Sequence, residues 1–202
     1  MLLPLAALLG ACDPQGTPLA AVAGSKVQLT DHDKQLMALA PPDVVPAGLE
    51  PQVVTNDTGL PRGDILIDTN LHRLFFVMGG GKAIEYAIAS GRDEAKWTGT
   101  TFIKRKVEWP TWMPPGDMMK RWPEFAVYKK HGPLQGQWDN PLGARAMYLY
   151  WPNGQDSLYR IHGTNEPDLI GQGVSSGCIR MRDADAIDLY SRVKIGAKVV
   201  VR

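Results

Sequence analysis

The sequence predicts a mostly β fold, a small β-sandwich or partly open barrel with one helix in its C-terminal region. Glycine (21) and proline (16) are plentiful among the 202 residues, which favours a turn-rich chain over a helical bundle. From Gly63 onward, seven short runs of β-branched, aromatic and other apolar residues are each bounded by turn residues, as expected for strands. These runs are 65–68, 74–77, 85–89, 100–103, 146–150, 158–161 and 198–201.

The connections between these runs predict the remaining elements. Three glycines at 79–81 predict a hairpin between the second and third strands, because glycine supplies the positive φ of tight turns. Residues 109–122, rich in Trp, Met and Pro, are either core filler or an irregular flap over a cleft, and we favour the flap because long insertions are usually functional. Residues 183–193 predict a helix, with acidic residues in the first turn and apolar residues at helical spacing.

The chain divides into three regions by composition. Residues 1–23 begin with an uncharged apolar run too short to span a bilayer, and Leu9-Gly10-Ala11-Cys12 resembles the lipobox of bacterial lipoproteins, which predicts a lipid on Cys12. Plain export and a cytosolic chain with an apolar N-terminus remain alternatives. Residues 24–62 are proline-rich without periodicity, which predicts an extended linker. Residues 63–202 are predicted to form the folded domain.

Charge and composition exclude several functional classes. Lys and Arg (22) balance Asp and Glu (21), so no basic excess is present to hold nucleic acid. The hydrophobic fraction of 44% and the charged fraction of 21% are those of a soluble globular chain. Membrane contact is therefore expected only through a lipid at the N-terminal end.

The reactive side chains concentrate in 161–167 and 173–181. One His and one Cys are too few for a metal site, so no metal is expected. The G-x-S-x-G pattern at 173–177 does not fit a serine hydrolase, because His162 precedes it and no strand leads into it. A Cys178 nucleophile with His162 as base remains, with the turn before Cys178 able to aim backbone N–H groups at an oxyanion. A structural buried Cys178 beside a hydrogen-bonded His162 stays the alternative.

At these residues the chain resembles a known family. His162-Gly163-Thr164-Asn165-Glu166-Pro167 and Ser175-Ser176-Gly177-Cys178-Ile179-Arg180-Met181 resemble the L,D-transpeptidase catalytic domain (YkuD-type), in the subgroup whose motif reads S-S-G-C-I-R-M. Segments 97–100, 112–115 and 140–146 are also similar, so that the resemblance covers 63–202. It implies that Cys178 is the nucleophile and His162 the general base, held by the carbonyl of Gly163. It also implies that N–H groups around Gly177 and Cys178 hold the oxyanion.

The same resemblance suggests substrate-binding residues. Arg180 is expected to face a carboxylate of the stem peptide, with a surface ion pair as the alternative. Ser176 stands where many relatives carry a second His. Trp109, Trp112, Tyr148 and Tyr150 are candidates to line the cleft, with Trp112 and Tyr150 preferred, although aromatic residues on strands are more often part of the core.

The implied function is peptidoglycan L,D-transpeptidation without a cofactor. Cys178 attacks the carbonyl of the third stem residue, the terminal D-amino acid leaves, and an amine resolves the thioester. The acceptor is a neighbouring stem peptide, giving a 3-3 cross-link, or a lipoprotein that becomes attached to the wall. The implied location is the periplasm or cell envelope. An L,D-carboxypeptidase or endopeptidase on the same scaffold and a non-catalytic wall-binding lipoprotein remain the alternatives.

Overall fold

The structure, a computed structural model, describes residues 29–202 apart from the side chain of Asp117. Cys12 and the predicted anchor region 1–23 lie outside the described residues. Residues 29–202 contain eleven strands: β1 (Gln52–Thr55), β2 (Ile65–Asp68), β3 (Arg73–Gly79), β4 (Lys82–Ala87), β5 (Ser90–Gly91), β6 (Gly99–Glu108), β7 (Arg145–Tyr150), β8 (Asp156–His162), β9 (Gly173–Ser175), β10 (Ile179–Arg180) and β11 (Lys198–Val201). The helices are α1 (Asp31–Met37), α2 (Gly116–Arg121), α3 (Val127–His131) and α4 (Asp183–Arg192), with 3-10 turns at Asp93–Ala95, Pro123–Ala126 and Pro167–Leu169.

Nine of the strands form one mixed sheet in the order β1-β4-β3-β2-β11-β6-β7-β8-β10. Neighbours are antiparallel except for β2 with β11 and β8 with β10, which are parallel. Strands β5 and β9 form a separate parallel pair. A bridge between Ala89 and Arg180 connects the chain after β4 to the edge strand β10, without closing the sheet as a barrel. The prediction of a mostly β, partly open fold is confirmed.

The apolar core lies between the curved sheet and α4. Ile187 and Leu189 of the helix are buried, and Lys106 of β6 donates from Nζ to the carbonyls of Tyr190 (2.5 Å) and Val193 (2.8 Å) at the C-terminal end of α4. A cation there is favourable because it satisfies unpaired carbonyls and opposes the negative end of the helix dipole. The core comprises Ile65, Ile67, Leu74, Phe76, Ile84, Tyr86, Ile88, Ile103, Met147, Leu149, Ile161, Ile179, Met181, Ala186, Leu189, Val193, Val199 and Val201.

The predicted hairpin and C-terminal helix are both present. Gly79, Gly80 and Gly81 have φ values of 105°, 61° and 69°, a conformation that glycine adopts without steric cost. The turn joins β3 to β4 as expected, and α4 starts at Asp183, as predicted.

Residues 29–49, called the N-terminal segment below, differ from the extended linker predicted over 24–62. They include α1, whose first turn is closed by a capping box between Thr30 and Asp33. Asp33 is completely buried and accepts from Arg145 Nη1 and Nη2 (both 2.9 Å) and from Trp109 Nε1 (2.9 Å). Beyond the segment, β1 adds to the edge of the sheet against β4. A buried ion pair with a distant strand holds the segment in place, and its proline-rich composition gives no sign of this.

The insertion between β6 and β7 is more regular than the predicted flap. It contains α2, α3 and a 3-10 turn between them, and its ends are joined by a bridge between Trp112 and Leu134. Trp112 makes edge contacts with Phe125 (5.8 Å between ring centroids) and Tyr128 (5.7 Å). The apolar residues of the insertion therefore pack partly on one another.

Across residues 29–202, no helix combines the length and the apolar composition needed to cross a membrane.

Candidate active site

The parallel pairing of β8 with β10 brings the two reactive segments together. Ile179 pairs with Ile161 and Arg180 with His162, and both isoleucines are fully buried in the core. Because side chains alternate along a strand, His162, Arg180 and Cys178 lie on the other face. Adjacent strands are about 4.8 Å apart and two residues span about 6.6 Å, so the Cα atoms of Cys178 and His162 are about 8 Å apart. Side chains at this separation can meet.

The imidazole of His162 is fixed in one tautomer. Its Nδ1 lies 2.6 Å from the carbonyl oxygen of Gly163, which can only accept, so Nδ1 carries the proton and Nε2 is free to take one. Burial lowers the pKa of His162 to about 4, the hydrogen bond to Gly163 opposes this, and the charges of Arg180 and Arg160 lower it further. His162 is therefore a neutral base at physiological pH.

Cys178 is a free, half-buried thiol beside β8. Its Sγ lies 4.0 Å from the carbonyl oxygen of Leu158. Burial raises the pKa of the thiol, whereas the backbone N–H of Arg160 and the charges of Arg160 and Arg180 oppose the rise. Cys178 and His162 are thus a thiol and a neutral imidazole, so a thiolate at Cys178 would have to form by proton transfer to a base.

A buried serine holds the turn that carries Cys178. The Oγ of Ser175 donates to the carbonyl oxygen of Cys178 (2.6 Å) and accepts from the N–H of Gly177 (3.0 Å). Trp97 donates from Nε1 to the carbonyl of Gly177 (2.9 Å) and stacks on Tyr159 at 4.4 Å between ring centroids. Gly177 has a φ of 113°, and a Cβ there would stand 2.5 Å from the Tyr159 ring, so glycine is required.

These contacts bear on the expected oxyanion hole. The N–H of Gly177 is directed to Ser175 rather than to a substrate, which leaves the N–H of Cys178 as the stronger candidate of the two. The side chain of Ser176 is exposed.

Replacing Ser175 with Ala is expected to lower the free energy of unfolding by about 1–3 kcal/mol, because the N–H of Gly177 loses its acceptor. The Cys178 turn should loosen, which would change the rate at which iodoacetamide alkylates the thiol. Denaturant titration and alkylation kinetics measure the two effects. Ser176→Ala is the matched control and should leave stability within about 0.5 kcal/mol of the wild type. Equal stability of the two variants would contradict the role of Ser175.

Two arginines flank the Cys178 and His162 pair, and each has an acidic partner. Arg180 Nη1 lies 2.7 Å from Glu166 Oε2, and Arg160 makes a two-point contact with Asp156 (2.7 and 2.9 Å). Arg160 also lies over the ring of Tyr148, 4.3 Å from its centroid. The ion pair that was the alternative for Arg180 is present, and a role toward substrate remains a proposal.

The two other residues expected at the cleft, Trp112 and Tyr150, have contacts with other parts of the fold. Trp112 packs in the insertion on Phe125 and Tyr128. Tyr150 pairs with Asp156 and is four residues along β7 from Ala146, the partner of His162, which is a separation of about 13 Å.

Sequence reasoning gave no role to Arg160, although it lies two residues before His162 on the same strand. Side chains two residues apart on a strand lie on one face of the sheet, so the spacing of Arg160 and His162 could have indicated that Arg160 lies near the site. Tyr148 pairs with Arg160 across β7 and β8, and the guanidinium of Arg160 lies over its ring.

A cavity of about 690 Å³ lies between the N-terminal segment and the loop that follows β8. Its lining includes the side of the segment from Ala40 to Val44 and the loop from Thr164 to Leu169, with Asp183 at one wall. Within residues 29–202, the Asp117 side chain aside, no group of three or more His, Cys, Asp or Glu residues is arranged to hold a metal ion.

Comparison with known proteins identifies the family. The family model for the L,D-transpeptidase catalytic domain (YkuD) matches residues 62–201. A Salmonella typhimurium protein described as a probable L,D-transpeptidase, ErfK/SrfK, is 31% identical over 155 residues, which are 74% of this chain and 47% of the relative. The probable L,D-transpeptidase YcfS of Escherichia coli is 34% identical over 143 residues, 69% of this chain and 43% of the relative. The chain thus spans about half the length of the curated relatives it matches.

A solved structure has a similar fold. A Brucella melitensis protein described as a probable carnitine operon oxidoreductase is 40% identical, with a TM-score of 0.53 over 78% of this chain and 96% of that one. The β-rich fold and the match to the family model together define an enzyme domain of the L,D-transpeptidase class. The chain belongs to the YkuD family of L,D-transpeptidase catalytic domains, as the sequence predicted.

Proposed function

We propose that this protein is a cysteine-dependent peptidoglycan L,D-transpeptidase. Cys178 is the nucleophile, the carbonyl of the third stem-peptide residue is its target, and the terminal D-amino acid is the leaving group. An amine acceptor then resolves the thioester. The acceptor is the side-chain amine of a neighbouring stem, which gives a 3-3 cross-link, or an amine of a lipoprotein that becomes attached to the wall.

The observation that carries the proposal is the hydrogen bond between Nδ1 of His162 and the carbonyl of Gly163. It leaves Nε2 unprotonated on the same face of the sheet as Cys178. A general base must be neutral and within reach of the proton that it removes. His162 is neutral in this arrangement, and the pairing of β8 with β10 supports its being within reach of Cys178.

The proton balance follows from the same arrangement. Nε2 of His162 takes the proton of the Cys178 thiol as the sulfur bonds to the carbonyl carbon, and the oxygen becomes an oxyanion. The imidazolium returns the proton to the leaving amine as the C–N bond breaks. In the second half-reaction, Nε2 accepts a proton from the incoming amine and the thiol is restored. Arg160 and Arg180 place positive charge near the oxyanion and the peptide carboxylate.

Substrate contacts are proposed for Arg180, Ser176, Gly177, Trp112 and Tyr150. A stem-peptide carboxylate would compete with Glu166 for Arg180, whose side chain is partly exposed. Ser176 presents an exposed hydroxyl next to Cys178. The family resemblance, rather than a contact with the reactive pair, supports Trp112 and Tyr150.

The proposed location is the periplasm or the cell envelope, with a lipid on Cys12 as the membrane anchor. The lipobox-like sequence and the envelope substrate of the family support both assignments. The proposed partners are peptidoglycan stem peptides and, as one acceptor, a lipoprotein.

The test is incubation of the purified protein with a tetrapeptide muropeptide, followed by mass spectrometry. Cross-linked dimers together with a Cys178 acyl-enzyme adduct, both absent from Cys178→Ala, would support transpeptidation. Tripeptide alone would instead indicate an L,D-carboxypeptidase. Unchanged substrate together with an unreactive thiol would favour the non-catalytic, wall-binding alternative.

A further inference from the structure

One peptide group links the catalytic histidine to a carboxylate on another element. The carbonyl of Gly163 accepts from Nδ1 of His162 at 2.6 Å. The N–H of the same peptide group, that of Thr164, donates to Oδ1 of Asp183 at 3.1 Å. We propose that Asp183 is a positioning residue, which holds the Gly163–Thr164 peptide so that its carbonyl orients the His162 imidazole. This proposal rests on the proposed function, in which His162 is the base.

Two loops close around the oxygen of Asp183. Oδ1 also accepts from the N–H of Ala144 at 2.9 Å, which ties the loop before β7 to the loop after β8. A Cβ at Gly143 or Gly163 would stand 2.1 Å or 2.0 Å from this oxygen, so both positions need glycine for the loops to approach. The backbone of both loops therefore permits this close contact with Asp183.

Asp183 is also connected to the nucleophile along the chain. It is the first residue of α4, and Cys178 lies five residues earlier, before β10. Between them, the N–H of Met181 donates to the carbonyl of His162 at 2.8 Å. The peptide after His162 is thus held by the strand and helix that directly follow Cys178, which fixes His162 relative to the thiol.

The surroundings of the Asp183 carboxyl group favour its role as a hydrogen-bond acceptor. Burial raises the pKa of Asp183 to about 6, and the N–H groups of Ala144 and Thr164 and the charge of Arg145 oppose the rise. The start of α4 adds the positive end of a helix dipole. Oδ1 can accept in either protonation state, because a proton would reside on Oδ2. An amide oxygen at the same position should therefore perform the same task.

The test compares Asp183→Ala, Asp183→Asn and the wild type by kinetics on the tetrapeptide muropeptide. Asp183→Ala should lower kcat about 100-fold with little change in KM, because a misplaced base affects the chemical step more than binding. Asp183→Asn should stay within about 3-fold of the wild type, since it keeps the acceptor oxygen. Asp185→Ala alters a buried carboxyl of the same helix and is the control for lost stability.

The second readout is the imidazole itself, followed by nitrogen NMR on histidine-labelled protein and assigned with His162→Gln. The wild type and Asp183→Asn should show protonated Nδ1 and bare Nε2, and Asp183→Ala should show a tautomer mixture. Unchanged kcat and an unchanged ring signal in Asp183→Ala would overturn the proposal, as would an Asn variant as impaired as the Ala variant. If the wild type leaves the muropeptide unchanged, the proposed function fails, and the ring signals still decide whether Asp183 positions His162.

Discussion

Replacing His162 with Gln is expected to slow acylation of Cys178 by about 100-fold to 10,000-fold, the range in which general bases contribute. The reason is that burial raises the pKa of the thiol, so little thiolate is present at neutral pH without a base to take the proton. Quenched-flow mass spectrometry of the acyl-enzyme measures this rate. Circular dichroism and denaturant titration of the variant serve as the folding control.

The pH dependence of the acylation rate in the wild type is a further test of the role of His162. Burial lowers the pKa of His162 to about 4, so the imidazole stays neutral down to that pH. The acylation rate should accordingly persist through pH 5 and fall only as the pH drops through about 4, whereas an ordinary histidine would lose activity near pH 6.5. His162→Gln should lack this acid limb. An acid limb near pH 6.5 would contradict a buried, neutral base.

The second large effect is expected at the contact between α1 and β7. Asp33→Ala leaves the guanidinium of Arg145 without its buried carboxylate, and an unpaired buried charge costs about 3–5 kcal/mol. We expect the N-terminal segment to detach, because release exposes Arg145 to water and limits that cost. Hydrogen exchange should then show unprotected amides throughout α1.

The matched control is Asp31→Ala in the same helix. Asp31 is exposed and pairs with Lys34 on the surface, an interaction worth at most about 1 kcal/mol. Its removal should leave the protection of α1 nearly unchanged. Equal protection of α1 in Asp33→Ala and the wild type would show that the ion pair does not hold the segment.

Acid should weaken the same contact. Burial alone would raise the pKa of Asp33, but hydrogen bonds from Arg145, Thr30 and Trp109 outweigh it and lower the pKa to about 2 from the ordinary 3.8. Because the pKa of Asp33 is lower in the folded state, its carboxylate adds to the free energy of unfolding above pH 3.8. This contribution is about 2 kcal/mol and is lost as the pH falls through about 2. Acid titration of unfolding in the wild type and Asp33→Asn measures this difference.

The local signals of the sequence predicted most of the sheet. The runs at 65–68 and 198–201 coincide with β2 and β11, because short apolar, β-branched runs and their flanking turns are local features of the sequence. Strand β6 extends to Glu108, beyond the predicted end at residue 103. The prediction stopped short because Lys104, Arg105 and Lys106 interrupt the apolar pattern. Strands β5, β9 and β10 have only two or three residues and depend on their partners, so no local pattern marks them.

The reactive pair could be found from its motif, but its supports could not. Cys178 and His162 lie in a recognisable sequence, whereas Asp183 binds Thr164 and Ala144, which are 19 and 39 residues away. Asp33 and Arg145 are 112 residues apart. Contacts of this kind depend on how the loops pack in three dimensions, and composition alone classed the N-terminal segment as a linker.

The buried Asp33 limits the length of chain between Cys12 and the folded domain. A chain spans at most about 3.5 Å per residue, so the 51 residues from Cys12 to Gly63 would extend to about 180 Å if none were attached to the domain. Because Asp33 is paired with Arg145 on the domain, only the 21 residues from Cys12 to Asp33 separate Cys12 from the domain. Fully extended, they span about 70 Å. With the proposed lipid on Cys12, the folded domain would therefore lie no more than about 70 Å of chain from its anchor.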